Sequence, residues 1–107
     1  MKQIKNYING QNLSHSKTYI PVYDPSTGEQ SGEVVNSNID DFNKTIESSK
    51  KAFYSWKKIT PLKRSRIISK YKVIIEKNLE ELAKLVSTEH GKTLDDAKGS
   101  VIRGLEV

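Results

Sequence analysis

The sequence predicts an α+β fold, in which a β-hairpin and short strands precede about four helices. Two observations support this prediction. The first third of the chain is rich in turn residues and in β-branched and aromatic residues, which is typical of short strands. From Phe42 onward, apolar residues recur every three or four positions, which is the period of an amphipathic helix. The change from strands to helices is therefore expected between Val35 and Phe42.

Two turns separate the predicted strands. The pair Asn9-Gly10 favours the positive φ angles of a type I′ hairpin turn. Residues 18–23 form the next extended run, and Pro21 predicts that this strand lies at a sheet edge or breaks there, because proline cannot donate a ladder hydrogen bond. The segment Asp24-Pro25-Ser26-Thr27-Gly28 predicts the second turn. A third short strand is expected to end near Val34-Val35.

Four polar positions predict where the helices begin, because their side chains can cap a helix N-terminus: Ser37 or Asn38, Thr60, Asn78 and Thr93. Pro61 occupies the first helical position, where proline is tolerated. Glu81 lies three residues after Asn78, which predicts a capping box at the third helix, and Asp96 follows Thr93 at the same spacing. Gly91 predicts the end of the third helix, because glycine readily adopts the left-handed conformation.

Each predicted helix carries an apolar face, and these faces are more than the short strands can cover, so the isolated chain is expected to expose a hydrophobic patch. The faces comprise Phe42, Ile46, Phe53 and Trp56; Ile67, Ile68, Tyr71, Ile74 and Ile75; Leu82, Leu85 and Val86; and Ala97, Val101 and Leu105. Trp56, on the first of these faces, is interpreted as a core residue. Gly99 and Gly104 each cost about 1 kcal/mol relative to alanine inside a helix, so close helix packing is expected there. The last helical pattern reaches Val107 without a stop signal, which predicts a truncated domain.

Composition excludes several kinds of chemistry. The chain has no cysteine, so disulfides, thiolate metal sites and thiol nucleophiles are all excluded. The net charge of +5 arises from basic residues interspersed with acidic ones, so no nucleic-acid partner is expected, although a small basic nucleic-acid-binding protein is kept as the alternative function. Residues 1–6 are polar and no apolar run approaches ~18 residues. We therefore expect a cytoplasmic protein without a membrane partner.

The segment Gly91-Lys92-Thr93 matches only the end of a phosphate-binding P-loop. That loop needs another glycine five positions before Gly91, where this chain has Val86, and a strand upstream, where a helix is predicted. The acidic pairs Glu80-Glu81 and Asp95-Asp96 are interpreted as first-turn residues that favour the helix dipole. The residues alone therefore indicate no catalytic site.

Three stretches resemble the N-terminal region of the aldehyde dehydrogenase superfamily, and together they cover nearly the whole chain. They are Tyr7-Ile8-Asn9-Gly10 with Asp24-Pro25-Ser26-Thr27-Gly28-Glu29; Ala52-Phe53-Tyr54-Ser55-Trp56 with Arg66; and Glu81-Leu82-Ala83-Lys84-Leu85 with Glu89-His90-Gly91-Lys92-Thr93. The stretch from Thr93 to Val107 is similar to the CoA-acylating branch that acts on methylmalonate semialdehyde. In that branch a glycine and then an Arg-Gly pair follow the Gly-Lys motif.

This resemblance implies that residues 1–107 form the N-terminal part of the coenzyme-binding region of an α/β fold, without completing a domain. It implies an NAD-dependent parent enzyme that oxidises malonate or methylmalonate semialdehyde and releases the carboxylate of the substrate as carbon dioxide. The remaining acyl group passes to coenzyme A, giving acetyl-CoA or propionyl-CoA. The full-length subunit is expected to form a homo-oligomer. The resemblance places the nucleophilic cysteine and the NAD-binding core beyond residue 107, so the isolated chain is expected not to be catalytic.

The resemblance also implies two site residues within this chain. Arg103 matches an arginine that binds the carboxylate of the substrate. Glu89 matches an acidic residue that, in some relatives, holds a monovalent cation together with backbone carbonyls, here those near Val22 and Tyr23. No catalytic and no cofactor-binding residue is expected among residues 1–107.

Overall fold

The computed structural model describes all residues from 1 to 107, and the chain divides into two compact units. The first unit contains residues 1–23 and 30–59, and the second contains residues 24–29 and 60–107. All the strands belong to the first unit and three of the four helices to the second. The predicted order, short strands followed by four helices, is confirmed. None of the helices is both long enough and apolar enough to cross a membrane.

The first unit contains two small sheets and one helix. Its elements are β1 (Lys2–Ile4), β2 (Tyr7–Ile8), β3 (Gln11–Asn12), β4 (Tyr19–Tyr23), β5 (Gln30–Val35) and α1 (Ile39–Trp56). One sheet has the order β1-β5-β4, with β1 parallel and β4 antiparallel to β5. Strand β4 lies at an edge of this sheet, as Pro21 predicts. The other sheet is the hairpin of β2 and β3, whose turn residues Asn9 and Gly10 both have positive φ, 51° and 75°.

Strand β1 is the element that the sequence does not predict. Its three residues contain a single apolar side chain, so neither alternation nor an apolar run marks it as a strand. The strand forms because Lys2, Gln3 and Ile4 pair in register with residues 32–34 of β5. Gly32 permits this pairing, since a Cβ atom there would lie 2.9 Å from the Lys2 carbonyl oxygen. The position therefore needs glycine for close backbone approach.

Helix α1 begins as predicted but does not bury its apolar face. Asn38 is its N-cap, and Asp41 completes a capping box that the sequence analysis did not predict. Trp56 remains 38% exposed and Phe42 58% exposed. The interpretation of Trp56 as a core residue is thus wrong for this chain. The physical reason is that the first unit has no second helix to cover the face of α1; Val35 is its one buried hydrophobic residue.

The second unit consists of the turn at residues 24–29 and the helices α2 (Pro61–Lys77), α3 (Leu79–His90) and α4 (Leu94–Glu106). Thr60 and Thr93 cap α2 and α4 as predicted, each accepting a backbone N–H three residues later. The capping box predicted at Asn78 is wrong. Its side chain instead donates to the carbonyl of Ile74, at 2.8 Å, so that Asn78 closes the end of α2.

Helices α3 and α4 form the best-packed part of the second unit. Ala83 and Ala97, one on each helix, are fully buried, and Lys98 of α4 forms an ion pair with Glu80 of α3 at 2.7 Å. Gly91 ends α3 with a φ of 76°, as predicted. The expectation of close helix packing at the two α4 glycines is wrong. A Cβ atom at Gly104 would meet no atom within 4 Å, and one at Gly99 would meet only the side chain of Arg103 from the same helix.

Candidate substrate-binding site

The candidate site lies on one face of α4, in the second unit. Asp96, Ser100 and Arg103 are four and three residues apart, a spacing that places them on the same face of a helix. The helix is fixed at its start by Thr93, whose hydroxyl accepts the backbone N–H of Asp96 at 3.3 Å. The face that presents Arg103 is therefore set by local helix geometry and by the N-cap.

The hydroxyl of Ser100 is the centre of this site. It accepts hydrogen bonds from Nζ of Lys92 and from Nη2 of Arg103, each at 3.1 Å, and it donates to the backbone carbonyl of Asp96 at 3.2 Å. One donor and two acceptor positions are all that a serine hydroxyl has. Lys92, Ser100 and Arg103, which we call the Ser100 cluster, are thus joined through a single oxygen atom.

Arg103 is exposed, and its guanidinium folds back along α4 toward Ser100. Nη1 lies 3.5 Å from the position that a Cβ atom would take at Gly99, an ordinary van der Waals distance, so the guanidinium lies beside Gly99. No carboxylate oxygen lies within 4.0 Å of the guanidinium, since the chain's two ion pairs involve other residues. Its charge and most of its five N–H donors therefore remain available to a ligand.

Lys92 reaches the cluster from the turn between α3 and α4. Its backbone carbonyl accepts the hydroxyl of Ser87 at 2.7 Å, which ties this turn to the last part of α3. The lysine is half-buried and has no carboxylate within 4.0 Å. Lys98, in contrast, has a carboxylate partner in Glu80. The hydrogen bond with Glu80 raises the pKa of the Lys98 ammonium group above its ordinary value. Lys98 is a structural ion-pair residue, whereas Lys92 has no anionic partner.

Glu89, the predicted cation ligand, lies exposed in the last turn of α3. Val22 and Tyr23, whose carbonyls are the other predicted ligands, belong to the first unit, and the Val22 carbonyl accepts a hydrogen bond from Ser31 at 3.2 Å. No group of three or more histidine, cysteine, aspartate or glutamate residues is arranged to hold a metal ion. The role of Glu89 stays a prediction.

The sequence identified Arg103 only through the family resemblance, and it did not identify Ser100 or Lys92 as site residues. The three-residue spacing of Ser100 and Arg103 was the one available signal, because it places a hydroxyl beside the guanidinium in any helix. Lys92 carried no such signal. It lies outside α4, and its contact with Ser100 depends on the geometry of the turn.

The class of protein follows from a family comparison. The model of the aldehyde dehydrogenase family matches residues 12–107, which is most of the chain. The chain therefore belongs to the aldehyde dehydrogenase family. This result confirms the resemblance found in the turn, helix and Gly-Lys stretches of the sequence.

Within that family the chain is similar to semialdehyde dehydrogenases. It is 40% identical over 107 residues to malonate-semialdehyde dehydrogenase 1 of Bacillus thuringiensis strain Al Hakam, an alignment that covers 99% of this chain. Two solved structures, each with a TM-score of 0.96 over 99% of the chain, are similar in fold. One, 36% identical, comes from Sinorhizobium meliloti 1021, is complexed with NAD and is assigned as a methylmalonate-semialdehyde dehydrogenase. The other, 32% identical, is methylmalonate-semialdehyde dehydrogenase from Oceanimonas doudoroffii.

The chain spans only 22% of the length of these relatives. It corresponds to their N-terminal part. None of these similarities supports the alternative of a nucleic-acid-binding protein.

Proposed function

We propose that this chain is the N-terminal portion of an NAD-dependent, CoA-acylating malonate- or methylmalonate-semialdehyde dehydrogenase. The observation that carries the proposal is the 40% identity to a malonate-semialdehyde dehydrogenase along 99% of the chain. On this proposal, residues 1–107 belong to the coenzyme-binding region but do not complete it. The parent subunit forms a homo-oligomer in the cytoplasm, as the family resemblance predicts.

Arg103 is proposed to bind the carboxylate of the semialdehyde substrate. A guanidinium stays charged at any relevant pH and offers paired donors that match a planar carboxylate. The absence of a carboxylate within 4.0 Å of Arg103 supports this role, because an arginine already held in an ion pair would first have to break it. Glu89 is proposed as a cation ligand of the parent enzyme on the family resemblance alone.

Neither coenzyme is assigned to a residue of this chain. The Gly91-Lys92-Thr93 turn follows a helix rather than a strand and lacks the second glycine of a phosphate-binding loop, so it does not fit a nucleotide phosphate. When bound to the complete enzyme, NAD would supply hydride acceptance and coenzyme A would accept the acyl group. The contribution of residues 1–107 is to recognise the carboxylate end of the substrate.

The proposal is tested with the complete dehydrogenase that carries this chain as its N-terminal region. We expect NADH formation from malonate semialdehyde to require coenzyme A for turnover and to yield acetyl-CoA and carbon dioxide. The assay follows absorbance of NADH and identifies the thioester by mass spectrometry. Release of free acid with equal turnover in the absence of coenzyme A would contradict the CoA-acylating assignment. Activity confined to uncharged aldehydes would contradict the substrate assignment.

A further inference from the structure

We propose that Ser100 and Lys92 complete the carboxylate-binding site that Arg103 begins: Ser100 positions the guanidinium, and Lys92 contributes a second cationic donor. The inference rests on the proposed role of Arg103 and extends it to two residues to which the family resemblance gives no role. The ligand class is a carboxylate carried on a short aldehyde.

The position of the Arg103 side chain depends on Ser100. An exposed arginine has many rotamers, and fixing it in one costs conformational entropy. The Nη2–Oγ hydrogen bond at 3.1 Å selects the rotamer that lies back over Gly99. Ser100 is itself held, because its hydroxyl hydrogen is directed to the Asp96 carbonyl at 3.2 Å. With that hydrogen used, both lone pairs of Oγ face the two cationic side chains.

The charges of the cluster favour an anionic ligand. Lys92 Nζ and Arg103 Nη2 each donate to the same oxygen, so the two cations lie within two hydrogen-bond lengths of each other. Like charges at this separation repel each other, and the hydroxyl between them carries no compensating charge. No carboxylate of the chain lies within 4.0 Å of either cation. An anionic group bound beside both would remove the repulsion and use the remaining donors of both side chains.

The two residues have different roles in this site. Ser100 has no free hydrogen-bonding capacity, so it acts on the ligand through Arg103 and is a positioning residue. Lys92 has two ammonium hydrogens left after its bond to Ser100, and these can reach a carboxylate oxygen directly. The cluster therefore discriminates a carboxylated semialdehyde from an uncharged aldehyde of similar size.

The test compares malonate semialdehyde with propanal in the complete dehydrogenase, and the measured quantity is the ratio of their kcat/KM values. Ser100→Ala and Lys92→Met should each lower this ratio about ten- to a hundredfold, the range for losing a hydrogen bond to a charged group. The loss should appear mainly as a higher KM for malonate semialdehyde. Ser100→Thr, which keeps the hydroxyl, should restore the ratio. The matched control is Lys84→Met, which removes an exposed lysine of α3 that makes no ion pair.

The outcomes separate this inference from the proposed function. If Arg103→Leu lowers the ratio but Ser100→Ala and Lys92→Met leave it at the wild-type value, this inference is overturned while the role of Arg103 stands. If Arg103→Leu also leaves the ratio unchanged, the carboxylate site itself is wrong. An equal effect of Lys84→Met would overturn the specific role of Lys92 in favour of a general charge effect. A loss in Ser100→Ala that Ser100→Thr does not repair would overturn the positioning role of the hydroxyl.

Discussion

The carboxylate of Asp41 accepts the backbone N–H of His15 at 2.6 Å, although the two residues are 26 positions apart. The same carboxylate accepts the backbone N–H groups of Ser16 and Asn38, at 3.2 and 3.1 Å. Asp41 is 1% exposed, and its own N–H donates to the side chain of Asn38. The Asp41 side chain thus completes the capping box of α1 and links residues 15 and 16, after the hairpin, to the start of that helix.

Replacing Asp41 with asparagine should loosen this segment and make its stability less dependent on pH. The backbone hydrogen bond from His15 lowers the pKa of Asp41 from its ordinary 3.8, with Asn38 and Ser16 adding to the effect, while burial opposes it. Because the pKa is lower in the folded state, the stabilisation is full above the ordinary value and is lost as the pH falls through the folded value. The measurement is hydrogen exchange at the amides of residues 15 and 16, from neutral pH downward.

Asp40→Asn is the matched control for Asp41→Asn, because Asp40 is an exposed acidic residue in the same helical turn and accepts none of these hydrogen bonds. It should change the exchange rates at residues 15 and 16 far less than Asp41→Asn does. Equal protection of these amides in wild type and Asp41→Asn at neutral pH would show that the carboxylate does not hold the segment.

Asn38 and Asn78 show why a local pattern does not decide where a capping box forms: the box predicted at Asn78 is absent, whereas Asn38, predicted only as a possible N-cap, forms one. Each asparagine is followed by an acidic residue at the third position. Asn38 has extended backbone angles and can turn its side chain toward the helix that follows. Asn78 is the single residue between α2 and α3, with φ −108° and ψ 17°, and its N–H bonds to carbonyls of α2. Whether the asparagine can form a capping box depends on how many residues separate the helix from the element before it. The four residues of the motif carry no information about that separation.

Gly91→Ala should destabilise the junction between α3 and α4 by about 1–2 kcal/mol, the cost of a left-handed conformation for a residue with a Cβ. Its φ is 76°, and the added Cβ would lie 3.0 Å from Cγ of Pro25 in the turn at residues 24–29. Gly104→Ala is the matched control, since the Cβ there meets nothing within 4 Å and alanine is favoured in a helix by about 1 kcal/mol. Hydrogen exchange across α3 and α4 measures both changes, and the two variants should shift it in opposite directions.

The isolated chain should bind a hydrophobic dye through the apolar face of α2. Ile68 is 58% exposed and Tyr71 61% exposed, so a continuous apolar surface faces solvent. Ile68→Lys should reduce dye fluorescence, whereas Lys70→Gln, on an exposed polar position, should not. The same surface should make the chain self-associate or unfold without a sharp transition, which light scattering and calorimetry would detect. A sharp two-state transition of a monomer that binds no dye would contradict this expectation.

The purified chain should neither produce NADH from malonate semialdehyde nor form a covalent acyl adduct. Oxidation of an aldehyde by the mechanism of this family needs a thiol to form the hemithioacetal, and the chain contains no cysteine. Absorbance of NADH and the intact mass of the protein after incubation are the two measurements. The complete dehydrogenase serves as the positive control under the same conditions. Reproducible NADH formation by the pure chain would contradict the assignment of catalysis to residues outside it.

The final prediction concerns Arg103 in the complete dehydrogenase, where charge and geometry can be separated by two substitutions. Arg103→Leu removes both, and should reduce transition-state stabilisation for malonate semialdehyde by about 2–4 kcal/mol relative to propanal, the range for losing the partner of a buried charge. Arg103→Lys keeps the charge but loses the planar pair of donors, so its loss should be intermediate. The measurement is kcat/KM for each substrate. Equal losses on the two substrates would show a structural role for Arg103, and no loss on either would show a surface residue without a role in binding.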